Sequence, residues 1–119
     1  MPSTRLRGSF PLTETGIDNE VTKTSPGAYV LGYLSSSRTF IVRYVGRADE
    51  DIKERLKKWI GKKNYKRFKY GYFFSPKAAF EKECRLYHDF GGKAKLDNDI
   101  HPARPENTNW ECPVCTIFD

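Results

Sequence analysis

Apolar positions along this chain change period several times, and each change marks an element. Residues 28–34 and 40–45 are short runs rich in β-branched and aromatic types, and Ser35, Ser36, Ser37 and Arg38 lie between them. This pattern predicts a β-hairpin. A turn symmetric about Ser36 and Ser37 opposes Leu34 to Thr39, Leu31 to Val42 and Tyr29 to Tyr44. Directly opposed residues share a face, so the two phenols are expected side by side near the open end. Asp49, Glu50 and Asp51 then supply an acidic helix start. Ile52, Leu56, Trp59 and Ile60 follow as one apolar stripe, with Gly61 as its stop. Arg55 falls one turn from both Ile52 and Trp59, on the edge of that stripe.

A third strand is read from Phe68, Tyr70, Tyr72 and Phe74, which alternate with Lys69, Gly71 and Phe73. Ser75-Pro76 is an N-cap followed by proline at the first helical position. The helix it opens runs to about residue 90, where Gly91-Gly92 ends it. Ala79, Phe80, Cys84, Tyr87 and Phe90 form its apolar side, and Glu83 sits inside that side. Glu81, Arg85 and His88 mark the wet side. A buried unpaired carboxylate is costly, so Glu83 is expected to face a metal ion or a cation such as Arg55. A purely structural Arg–Glu pair is the alternative.

The flanks carry less pattern. Residues 1–26 are rich in Ser, Thr, Gly and Pro without a clear period, which predicts an extended or poorly ordered arm docking through Phe10 and Leu12. Residues 103–119 read as an irregular tail. Between them, residues 27–102 make one α+β domain: a three-stranded, mostly antiparallel sheet flanked by helices, in the order β-β-α-β-α.

Composition adds a partner. A 119-residue chain that is 38% hydrophobic has a small core under a polar surface. The net charge is +6, yet residues 53–69 alone hold nine basic residues against one acid, Glu54. Aromatic residues Trp59, Tyr65, Phe68 and Tyr70 thread that stretch, favouring nucleic acid over a merely solvated basic face. No apolar run approaches the ~20 residues that span a bilayer. Arg5 and Arg7 are not followed by an apolar core, so no secretory signal is read and a cytoplasmic protein is expected. Three cysteines argue against a disulfide framework. Cys84 reads as a small core hydrophobe. Cys112 and Cys115 form one Cys-x-x-Cys, half of a tetrahedral zinc site, with no second such pair or spaced His pair to complete it. A docking tail with reduced thiols is therefore expected there in preference to zinc.

Gly27-Ala28-Tyr29, then Tyr44-Val45-Gly46, then Arg55, Glu83 and Asn98 occur in an order that resembles the GIY-YIG nuclease family. The first triplet carries Ala28 and the second Val45 where the family has Ile, and both keep the Tyr. Arg55 falls one residue further from Gly46 than the family's usual spacing, which implies one extra residue around 49–51. Trp59 stands where the family often has His. The resemblance covers about residues 27–102 and implies a metal-dependent endonuclease acting on DNA. It implies Tyr29 as the group activating water, Tyr44 orienting water or phosphate, Arg55 on the scissile phosphate, and Glu83 holding Mg²⁺ or Mn²⁺. Arg47, Lys57, Lys58, Lys62, Lys63 and Asn98 are the expected substrate contacts. A phenol ionises near pH ~10, so a base role for Tyr29 requires positive charge close by. The alternatives are a non-cutting nucleic-acid-binding module of the same fold, or a subunit of a DNA repair or recombination assembly.

Overall fold

The computed structural model of the protein describes residues 4–62, 64–98, 101–102 and 108–114. The sheet has four antiparallel strands: β1 (Arg7–Pro11), β2 (Gly27–Leu34), β3 (Phe40–Ala48) and β4 (Arg67–Tyr72), in spatial order β1-β4-β2-β3. The described residues also form three α-helices, α1 (Glu14–Glu20), α2 (Ile52–Lys57) and α3 (Pro76–Asp89). A short 3₁₀ turn, Gly92–Ala94, follows.

β2 is central, hydrogen-bonded on both sides, and covered on both faces. Its near-continuous apolar run, buried from Gly27 to Gly32, is what such a position demands. On one face Tyr29 and Leu31 join Phe68, Tyr70, Ile52, Leu56 and Ile17 in the larger core. On the other face Ala28, Val30 and Val45 pack with Leu86 and Tyr87 of α3. α3 begins where the sequence places it. The Ser75 hydroxyl accepts from the Ala78 N–H, and Pro76 occupies the first turn.

Three expectations are corrected. The sheet has a fourth strand because the segment before β2 is not a loose arm: β1 pairs with β4, and Ile17 of α1 and Val21, its C-cap, are both wholly buried. Thr13 caps α1 by accepting from the Gly16 N–H. β1 contains Gly8 and Pro11, poor strand formers tolerated because it is an edge strand. The hairpin register also differs. Leu34 pairs with Phe40 around a five-residue loop, residues 35–39, in which Ser35 and Thr39 bond each other and Arg38 adopts φ 62°. Arg43 is then an extra residue between the Gly32–Val42 and Leu31–Tyr44 pairs, a β-bulge. Tyr29 consequently opposes Gly46, with Tyr44 two residues along on the same face. Finally, α2 stops at Lys57. Beyond it the Trp59 and Ile60 N–H groups bond the carbonyls of Leu56 and Lys57, three residues back, which tightens the last turn and leaves Ile60 exposed.

The role of the N-terminal segment is testable. Ile17→Ala should cost about 2–5 kcal/mol by urea denaturation, the range for emptying a filled core position. A cost below about 0.5 kcal/mol would return the segment to the status of a loose arm.

Candidate active site

A cavity of about 180 Å³ opens where the end of β3 passes between α2 and α3, lined by Tyr29, Tyr44, Gly46, Arg47, Asp49, Arg55 and Glu83. Each side chain arrives from a different constraint. Gly46 opposes Tyr29, and a Cβ there would lie 2.4 Å from the Tyr29 ring, so only glycine lets the phenol lie against β3. Tyr44, on the same face, packs on Trp59 with ring centroids 4.5 Å apart. Arg47 projects to the opposite face, toward α3. Its Nη1 donates to Glu83 Oε1 at 2.7 Å and its Nε to Asp49 Oδ1 at 2.9 Å. The guanidinium also lies over the Phe80 ring. Arg55 extends from the exposed side of α2, and its guanidinium has no ion-pair partner among the described residues.

The electrostatics follow from burial. Tyr29 is 1% exposed, and burial raises its phenol above the ordinary range; the Trp59 indole N–H, 2.9 Å from its oxygen, and the Arg55 charge oppose this. Glu83 is 8% exposed. Burial pushes its carboxyl up to about 7, with the Arg47 charge and hydrogen bond pulling the other way. Burial works against the charge on Arg47, but Glu83 and Asp49 hold its pKa above the usual value. Two carboxylates on hard oxygen donors thus share one cavity. That is the donor chemistry of a Mg²⁺ site, which takes one or two carboxylates and keeps water or phosphate elsewhere.

Several expected contacts lie elsewhere. The cation beside Glu83 is Arg47 and not Arg55. Asn98, expected at the substrate, is 7% exposed and spent on the backbone: Oδ1 accepts from the Val45 N–H at 3.0 Å and Nδ2 donates to the Val45 carbonyl at 2.8 Å. With the Asp97 N–H bonded to the Arg43 carbonyl, it closes the outer edge of β3 as another strand would. Lys53 and Lys57 pair with Asp18 of α1. Lys58 and Lys62 are exposed, and Lys63 lies outside the described residues. Lys66, Arg67 and Lys69 lead into and along β4, so the basic stretch does not form a single surface. Asp49, read only as part of a helix start, is a lining residue; the N-cap is Asp51. Its place two residues after Arg47, at a strand end, was the available signal. No helix among the described residues is long and apolar enough to cross a membrane.

Comparison with family models, with curated proteins and with solved structures returns no match for this chain.

Asn98→Ala should lower stability by about 1–3 kcal/mol, because it strands the buried Val45 N–H and carbonyl. Its effect on nucleic-acid affinity at a temperature where the variant is folded should be nil. A stable variant with weakened binding would make Asn98 a substrate contact after all.

Proposed function

We propose that this protein is a metal-dependent endonuclease of the GIY-YIG type, hydrolysing phosphodiester bonds in DNA. The observation that carries the reading is the meeting of Tyr29, Tyr44, Arg55 and Glu83, from four different elements, around one polar cavity. These are the residues that the motif resemblance singles out. Arg55 is the natural partner for the scissile phosphate, since its charge is uncommitted within the described residues and it stands at the rim. Glu83, with Asp49 beside it, is suited to hold Mg²⁺ or Mn²⁺, which would supply Lewis-acid stabilisation of the developing charge. Tyr44, packed against Trp59, is the candidate for orienting phosphate or water. Tyr29 is the candidate base for the attacking water. Because burial holds its phenol protonated, that role requires the nearby positive charge of Arg55 and of a cation on Glu83. Trp59, in the place where the family often has an imidazole, supports Tyr29 by donating a hydrogen bond to its oxygen. Lys58 and Lys62 extend the contact along the DNA backbone.

One observation favours the second reading, a binding module that does not cut. Arg47 already occupies Glu83 at 2.7 Å, so the carboxylate has a cationic partner without any metal.

Glu83→Gln separates the two. It keeps the shape and removes the charge, so metal-dependent cleavage should fall by several orders of magnitude, since the metal contributes several kcal/mol of transition-state stabilisation. DNA affinity should hold or rise. Glu81→Gln, which changes no lining residue, is the control and should cut normally. A wild-type protein that binds DNA yet cuts no form of it with Mg²⁺ or Mn²⁺ is a binding module.

Replacing Lys58 and Lys62 together with Glu should weaken binding to all DNA sequences alike and flatten its salt dependence, as expected for lost phosphate contacts. Unchanged affinity at low salt would move the interface to another face.

A further inference from the structure

Cys84 of α3, His101 and Cys112 come from three separate parts of the chain, and none of them lines the cavity described above. Their ligand atoms, two sulfurs and one ring nitrogen, all lie within 4.8 Å of one another. A tetrahedral zinc ion with bonds of about 2.0–2.3 Å keeps its ligand atoms about 3.3–3.8 Å apart. Closing the triad onto an ion therefore asks for shifts of little more than about an ångström.

The surroundings suit such an ion. Cys84 and Cys112 are buried in a cluster with Phe80 and Trp110, whose rings are 5.7 Å apart, so the sulfurs are sheltered from solvent. Both nitrogens of His101 already have neighbours: Nδ1 is 2.8 Å from the Pro102 carbonyl oxygen, and Nε2 is 3.2 Å from Nε2 of His88. Whichever nitrogen takes the metal, the other has a partner that fixes the tautomer and the ring plane, the usual support for a metal-bound imidazole. Soft thiolate with imidazole selects zinc over the hard cations that carboxylates hold.

We propose that Cys84, His101 and Cys112 are ligands of a structural zinc ion that fastens the C-terminal segment to α3. The sequence alone marked Cys112 by its Cys-x-x-Cys; the fold brings Cys84 and His101 to it. The clamp has a consequence for the cavity. Phe80 packs against Trp110 of the fastened segment and also lies under the Arg47 guanidinium, while Cys84 adjoins Glu83 on α3. The zinc therefore holds the shelf on which the Arg47–Glu83 pair rests. This inference stands on its own ligands and does not depend on the nuclease reading.

The test uses the 119-residue chain purified without added metal and dialysed free of loose ions. Elemental analysis should give about one zinc per chain, and a strong chelator should remove it with a fall in thermal midpoint that added Zn²⁺ reverses. Co²⁺ exchanged into the wild-type protein should show intense thiolate-to-metal charge transfer and tetrahedral d–d bands, a signature that needs no variant to fold. Cys112→Ala and His101→Gln should each lose the stoichiometric metal, while Glu83→Gln should keep it. Protein that is folded but free of zinc, or that carries a Cys84–Cys112 disulfide when isolated under reducing conditions, would overturn the proposal. So would metal retained in His101→Gln, or metal lost in Glu83→Gln and kept in Cys112→Ala.

Discussion

The ion pair between Arg47 and Glu83 is the contact on which the two halves of the site depend. β3 is an edge strand, and its end must be held to α3 for the cavity to exist. The pair does this from 13% and 10% exposed side chains, so little water screens it. Each charge justifies burial of the other. Removing one partner leaves the second stranded, and a broken buried pair typically costs more than the intact pair contributes. Asp49 lessens that vulnerability by taking the Nε edge of the same guanidinium, and the Phe80 ring supports its plane.

From that joint the rest of the site follows by strand geometry. Alternation along β3 sends Arg47 to the α3 side and leaves Tyr44 and Gly46 on the α2 side, where Tyr29 lies. A cavity lined from both faces can form only where the sheet ends, and the outer edge of β3 is that place. The edge has to be closed without covering the cavity. Asp97 and Asn98 do so a few residues upstream, against Arg43 and Val45. Arg43 can engage Asp97 because the bulge frees it from the regular ladder.

The sequence carried the elements of the domain's centre well, and for physical reasons. Strand and helix periods, the Ser75-Pro76 cap and the inward position of Glu83 are local signals that burial reinforces. The hairpin count shows how a wrong detail can leave a correct face. The loop is one residue longer at its tip than a symmetric turn allows, a slip that by itself turns Tyr44 to the far side. The bulge at Arg43 adds a second residue, and the two displacements restore the face while moving Tyr44 from beside Tyr29 to diagonal from it. The N-terminal segment was hidden because its strand contains Gly8 and Pro11 and its helix is only about two turns long. The Thr13 cap with Ile17 and Val21 four residues apart was the signal available. Asn98 and the cysteine cluster were unreadable for another reason: their partners are set by tertiary packing, and no spacing along the chain encodes Cys84 against Cys112.

The charge balance of the cavity ties its chemistry to its architecture. Two guanidinium groups, Arg47 and Arg55, face two carboxylates, Glu83 and Asp49, so the lining is close to neutral as it stands. Three of those charges are committed to one another through Arg47. Of the four, Arg55 alone stands outside that network, and on the proposed reading its charge is the one a phosphate diester would meet first. A near-neutral lining with one open guanidinium suits holding a phosphate. Cleaving it asks for further positive charge, both to stabilise the developing anion and to lower the Tyr29 phenol, which burial otherwise keeps protonated. Among the lining residues, the acceptors able to bring that charge in are the carboxylates that Arg47 now engages. On the proposed nuclease reading, activity therefore comes down to one competition, between the Arg47 guanidinium and a divalent cation for the oxygens of Glu83.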